Sequence, residues 1–187
     1  MSNSLAGKLL VAMPSIGDPR FANAVILMCF HDEDHAMGVM INRPKEELTL
    51  SDVMEHLGLE TDTEIALRTV LDGGPVGPDR GYVLHSDDFT AGEATQDVAP
   101  GIRLTSTRDV LEAMSSEAAP QHFVLALGCA GWGAGQLEDE LKHNAWLVVD
   151  PDEAIIFDDG HRDKWQRAIR ALGIDLSQLG GGEGGRA

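Results

Sequence analysis

The residues that could do chemistry gather around two glycine-rich turns. The longer, residues 128–135, contains Gly131-Trp132-Gly133-Ala134-Gly135 and leads into Gln136. It follows an apolar run and precedes an amphipathic one, so it joins a predicted strand to a predicted helix. Backbone N–H groups converge at such a junction and can hold an anion. The details narrow that chemistry. No Lys-Ser or Lys-Thr pair follows, as a nucleotide-phosphate loop requires, and the spacing Gly131-x-Gly133-x-Gly135 differs from the dinucleotide fingerprint. A tight turn with Trp132 folded over the core accounts for the same residues. The shorter turn is Gly73-Gly74-Pro75-Val76. Pro75 withholds an N–H, which makes a poor anion cradle but a good positioner of Asp72 and the following strand. Where the two turns meet, small residues would let a ligand approach the backbone closely. That junction, with His85 near it, is the expected site of any catalysis.

Three side-chain constellations add to it. His85 closes one apolar run and Cys129 another; neighbouring strand ends would make them a thiol–imidazole pair suited to nucleophilic catalysis. Against this, the sequence holds no G-x-S-x-G, and a Cys in an apolar run is ordinarily buried and inert. His31 and His35 flank Asp32, Glu33 and Asp34, donors that a turn could fold around a divalent ion. A solvated hairpin tip calls for the same polar residues. Asn42, Arg80, Gln136 and Asn144 stand at ends of apolar elements, where polar groups tie down backbone or line a cleft. Asn42 and Arg80 adjoin recognisable turns and are the better site candidates. None of these patterns implies a cofactor.

Such groups need a sheet to hold them. Residues 8–13, 24–30, 36–42, 80–85, 122–127 and 144–149 are short, continuous apolar runs, as strands covered on both faces are. The polar stretch 31–35 between the second and third reads as a hairpin turn. Helical spacing predicts helices at 51–57, 107–115 and 133–143, with a last stripe of Trp165, Ala168, Ile169 and Leu172 closed by Gly173. Ser106-x-x-Asp109 has the capping-box pattern, and Glu138 and Lys142 are spaced as an i, i+4 pair. Residues 87–102 are polar and read as a long surface loop. Strands come first and helices mix in later, which predicts one domain over residues 1–175, with a mixed sheet and helices outside. Residues 176–187, rich in glycine, form a flexible tail.

Charge restricts the partners. The chain has 187 residues, with 14 Lys and Arg against 31 Asp and Glu, a formal charge of −17. Nucleic-acid binding draws on clustered cations, yet the densest basic run, His161-Arg162-Asp163-Lys164, carries its own Asp. Direct DNA binding and an anionic membrane are therefore disfavoured, which leaves a protein partner or a small molecule. Two cysteines are too few for a disulfide framework. No basic, apolar leader opens the sequence and no apolar run is long enough to span a bilayer, so the expected location is the cytosol.

Three blocks are specific enough to point to a family. The first joins Gly7-Lys8-Leu9-Leu10-Val11-Ala12-Met13-Pro14 to Asp18-Pro19-Arg20-Phe21 and Gly38-Val39-Met40-Ile41-Asn42-Arg43-Pro44. The second joins Gly73-Gly74-Pro75-Val76 to Arg80-Gly81-Tyr82-Val83-Leu84-His85-Ser86. The third joins Gly131-Trp132-Gly133-Ala134-Gly135-Gln136-Leu137-Glu138 to Asn144-Ala145-Trp146-Leu147. In this order and spacing the chain resembles the YqgE/AlgH family of small bacterial proteins. Ala24 and Cys129 depart from it, standing where a small hydroxyl residue and an aromatic are common. The resemblance implies an α/β fold of α+β character with a bifurcated, barrel-like sheet. It also carries the family's label of transcriptional regulator, and no agreed enzymatic activity. A non-enzymatic regulator acting through a protein partner or ligand is the leading expectation. An enzyme sited between the glycine turns and a direct DNA-binding regulator are the alternatives.

Overall fold

Five successive buried side chains open the strand Val25–His31, so both of its faces are covered. The computed structural model, which describes residues 4–175 and 177, shows what covers them. Ten strands form the sheet: β1 (Leu9–Ala12), β2 (Val25–His31), β3 (His35–Met40), β4 (Pro44–Thr49), β5 (Thr69–Asp72), β6 (Val76–Ser86), β7 (Thr95–Ala99), β8 (Ile102–Thr105), β9 (Phe123–Gly133) and β10 (Trp146–Val149). Five α-helices accompany them among the described residues: α1 (Leu50–His56), α2 (Arg108–Ala113), α3 (Gln136–Lys142), α4 (Glu153–Phe157) and α5 (Lys164–Ala171). The main path runs β10-β1-β2-β3-β9-β6-β8-β7.

The sheet forks on β9. Along one edge of this strand β5 pairs in parallel, Val70 opposite Leu125 to Asp72 opposite Leu127. A few residues further along β9, β3 pairs antiparallel, Gly38 opposite Ala130 to His35 opposite Gly133. The sheet also curls until β7 returns to β2. A bulge between Met28 and Phe30 interrupts the β2–β3 register, and the Cys29 carbonyl there accepts from Gln96 Nε2 at 2.6 Å. The curl encloses a core that includes Leu27, Val39, Leu84, Val124 and Ala126. Ile155 and Ile156 of α4 and Ala168 and Ile169 of α5 belong to the same cluster and close one end of it. On the outer faces, α3 covers β1–β3 and β10, while α1 and α2 cover β5, β6 and β9. The half-barrel with outlying helices agrees with the expected mixed, bifurcated sheet. No helix among the described residues is long and apolar enough to cross a membrane.

Several local readings need correction. Residues 87–102 hold β7 as well as loop; Asp97 opposite Arg103 sets its pairing with β8. The strands β4 and β5 and the helix α4 carry no long apolar run and were not expected. β9 extends through Gly133, so Gly131-Trp132-Gly133 is strand, and the turn into α3 is only Ala134-Gly135. Gly135 enters that turn at φ 74°. The helix after Ser106 starts from Thr107 with no side-chain cap; the working capping box is Thr49 with Asp52 on α1. Glu138 pairs with His31. Gly173 ends α5 at φ 73° as expected, although Leu172 is exposed. Apart from residue 177, the expected tail lies outside the described residues.

Candidate functional site

The two glycine segments do meet, and they meet at the fork. Gly73 N–H donates to Leu127 O at 2.8 Å, and Met40 N–H donates to Gly73 O at 2.9 Å, so one residue links β9 to the end of β3. A Cβ on Gly73 would stand 2.2 Å from Gly128 O, and one on Gly74 would stand 2.3 Å from the Cys129 carbonyl. Gly74 also has φ 143°. Here glycine serves a backbone crossing and leaves no room for a ligand. Gly131 and Gly133, further along β9, are uncrowded. Beside them opens a recess of about 490 Å³, with Pro75, Val76, Gly131, Trp132 and Gln136 in its wall. The structure thus gathers four of the sequence-predicted site residues, Pro75, Gly131, Trp132 and Gln136, around one cleft. Gln136 Oε1 accepts from Gly133 N–H at 3.1 Å, which ties α3 to the end of β9.

The remaining candidates lie elsewhere. Asn42 is a tie: its Oδ1 accepts from Val25 N–H at 2.8 Å and its Nδ2 donates to Asn23 O at 2.7 Å. Arg80 is exposed on a bulged part of β6, with its guanidinium 5.5 Å from the Tyr82 ring. His85 faces Phe123 across the β6–β9 pair, while Val76 faces Cys129. Six residues of strand, about 20 Å, separate the two ends. The conceivable Cys129–His85 pair is therefore not formed, and the glycine cleft has no imidazole from His85. Both cysteines are buried and free. Burial pushes the Cys29 thiol up to about 12.

His85 has another role. Nδ1 donates to Ser86 O at 2.8 Å, leaving Nε2 to accept from the Thr105 hydroxyl at 2.8 Å. Thr95 Oγ1 lies 2.8 Å from Thr105 Oγ1 and accepts from Ala91 N–H at 2.7 Å. Each proton in this relay has an acceptor. Burial lowers the His85 pKa and keeps the ring neutral.

His31 is likewise committed. Leu5 N–H donates to its Nδ1 at 2.9 Å, and its Nε2 donates to Glu138 Oε1 at 2.8 Å. That hydrogen bond holds the Glu138 carboxyl below its usual range. His35 stacks on Phe30 with ring centres 4.5 Å apart. With both His31 nitrogens engaged, the two histidines do not form a metal centre. No group of three or more His, Cys, Asp or Glu among the described residues is placed to hold an ion. The 31–35 segment is a hairpin turn, with Asp32 Oδ1 accepting from Asp34 and His35 N–H.

Two features escaped the sequence reading. The first is a groove of about 780 Å³ between α1, α2 and the outer face of β6 and β9. Leu48, Val53, Leu57, Leu111, Leu125 and Leu127 supply apolar surface, and Asp52, Asp79 and Arg108 supply charge. Val53 and Leu57 were legible as part of an apolar helix face. Met54 of that face is fully buried, while these two are only partly so. The second is Lys164, fully buried, whose Nζ donates to Ile41 O at 3.0 Å and Ile156 O at 2.7 Å. Burial pushes its pKa down to about 7. Beside it, buried His161 is pushed down to about 4, chiefly by burial and then by Lys164, and its Nδ1 has no partner among the described residues. The clue was spacing: Lys164 precedes Ala168 by one helical turn, on the stripe that faces the core.

These features can be set beside known proteins. A model described as AlgH-like matches residues 9–177. The chain belongs to the AlgH-like family. A UPF0301 protein from Caulobacter vibrioides is 50% identical over 176 residues, covering 94% of this chain and 90% of that one. One from Xanthomonas campestris is 47% identical over the same length, covering 94% and 93%. The solution structure of the AlgH protein from Pseudomonas aeruginosa covers all of both chains at 37% identity with a TM-score of 0.79. A Corynebacterium diphtheriae crystal structure matches at 21% identity and a TM-score of 0.76, over 95% of this chain and 92% of the other, and shows the fold alone. This chain thus has the AlgH-like fold.

Proposed function

We propose that this AlgH-like protein is a cytosolic regulator that acts by binding, and that the groove between α1, α2 and the sheet receives a segment of a partner protein. The observation that carries this reading is the groove itself: an apolar floor of suitable size for recognition, with a few polar groups at its edge. Its charge favours one kind of occupant. Arg108 is paired with Glu112 at 3.0 Å, which leaves Asp52 and Asp79 facing a partner, on a chain of net charge −17. An amphipathic segment with Leu, Ile or Phe anchors flanked by Lys or Arg matches both the floor and the rim. A regulatory role would then run through another protein, since the same charge opposes contact with DNA.

In-cell photo-crosslinking tests this. A photoreactive residue at Val53 should give a discrete adduct that maps to a basic, apolar segment. Leu57→Glu should abolish it, and the same probe at exposed Glu93 should give none. No adduct at Val53, or equal adducts at both positions, overturns the reading. So does native mass spectrometry that finds a small molecule seated in the groove.

A further inference from the structure

The cleft beside β9 has chemistry of its own, independent of the groove. Helix α3 brings Glu140 beneath two indoles. Trp132 Nε1 and Trp146 Nε1 both donate to Glu140 Oε1, at 3.3 and 3.2 Å. The other carboxylate oxygen, Oε2, is buried and has no hydrogen-bond partner among the described residues. A buried acceptor left unmatched is unfavourable, and a carboxylate oxygen can take two donors. Glu140 lines the recess.

The surroundings select what could supply that donor. Trp132 and Trp146 meet edge to face at 6.1 Å, and Phe21 meets Trp146 likewise at 5.9 Å. Of these three, Phe21 and Trp132 line the recess, and an aromatic wall favours a cation over a neutral group. The lining also includes Asp18, Arg20 and Asp139. Arg20 is forked onto Asp18, Nε to Oδ1 at 3.1 Å and a terminal nitrogen to Oδ2 at 2.8 Å. Those two cancel, so Asp139 and Glu140 remain uncompensated among the lining groups. Gly131 has no side chain to fill the opening, and a Cβ there would touch only Val76, at 3.8 Å.

We infer that the cleft is a binding site for a small organic cation, an ammonium or guanidinium on a short alkyl stem. Its charged head donates to Glu140 Oε2 and its stem lies against the aromatic wall. A volume of about 490 Å³ accommodates a molecule of that size.

Agmatine and cadaverine are the probes, with 1-pentanol and glutarate as neutral and anionic counterparts. Indole fluorescence and calorimetry should show saturable binding of the two cations and none of the counterparts. Glu140→Gln keeps an acceptor for both indoles but removes the charge, and should weaken agmatine at least about tenfold. Glu93→Gln, on a distant turn, should leave binding unchanged. Gly131→Leu fills the opening without altering Glu140, and should abolish binding even if the Glu140 variant fails to fold. No saturable response up to about 10 mM cation, equal affinity for 1-pentanol, or undiminished binding in both variants overturns the inference.

Discussion

His85 and Lys164 are both sealed completely from solvent, yet the protein treats the two bases differently. His85 is buried neutral, at the end of a relay in which Ala91 N–H, the Thr95 and Thr105 hydroxyls and the imidazole each find an acceptor. Lys164 is buried with only two carbonyls for company, one from the end of β3 and one from α4. Burial, the largest influence, and Arg167 oppose its charged form, and together they outweigh Asp158 and Asp159, which favour it. The neighbouring His161 keeps one nitrogen unmatched. A buried polar group is inexpensive when its hydrogen bonds are complete and it carries no charge. A buried cation without a counter-ion is not.

Substitution should separate the two sites most widely. Lys164→Ala leaves a cavity under α4 and α5 as well as two unmatched carbonyls, and should cost about 3–5 kcal/mol in urea unfolding. Lys164→Met leaves the same two carbonyls unmatched but keeps the volume and removes the charge, so it should cost less than Ala, about 1–3 kcal/mol. If Met costs as much as Ala, the ammonium is a net asset and the contrast with His85 fails.

The pH dependence comes next in size. Lys164 has a folded pKa of about 7 against 10.5 unfolded, so above pH 7 the unfolded chain binds the extra proton and stability rises with pH. From pH 7 to 9 the parent should gain about 2 kcal/mol, and Lys164→Met should lose that slope. Above pH 9 Cys29 acts in the opposite sense: its folded pKa is raised from 9.0 to about 12, so stability is lost as pH rises through that range. On the acid side His161, lowered from 6.5 to about 4, removes stability as pH falls between those values. A flat profile from pH 7 to 9 in the parent would show that Lys164 titrates normally. The smallest effect belongs to the relay. Thr105→Val leaves His85 Nε2 without its donor and should cost about 1–2 kcal/mol, with Thr105→Ser closer to the parent. A loss larger than that of Lys164→Ala would reverse the ranking of the two sites.

The central strands were legible because β2, β3, β6, β9 and β10 hold unbroken apolar runs. β4 was not, because Pro-Lys-Glu-Glu-Leu-Thr lies at an edge and is buried at none of its positions. β7 was not, because only Val98 of its five residues is buried. Strands of this kind are set by a distant partner and leave no periodic trace of their own. The glycine turns were legible as places where backbone matters, but spacing could not show which glycines cross another chain segment. Gly74 and Gly128 do, Gly131 and Gly133 do not, and the cleft follows from that division. The groove was half visible, as a helix face with more apolar residues than the core takes. Lys164 was read with its basic neighbours, because charge in a sequence is ordinarily a mark of surface.

The joining of early and late segments has a consequence in time. β1 pairs with β10, Leu9 opposite Val149 through Ala12 opposite Trp146, and Trp165 Nε1 donates to Ala12 O at 2.8 Å. A ribosome adding about 5–20 residues per second needs roughly 7–27 s to travel from Ala12 to Val149. For that interval one edge of β1 is complete in sequence but has no strand beside it, and open edges recruit strands from other chains. Newly made copies are therefore most vulnerable to one another before synthesis reaches β10, and slower translation of the intervening residues would lengthen that exposure.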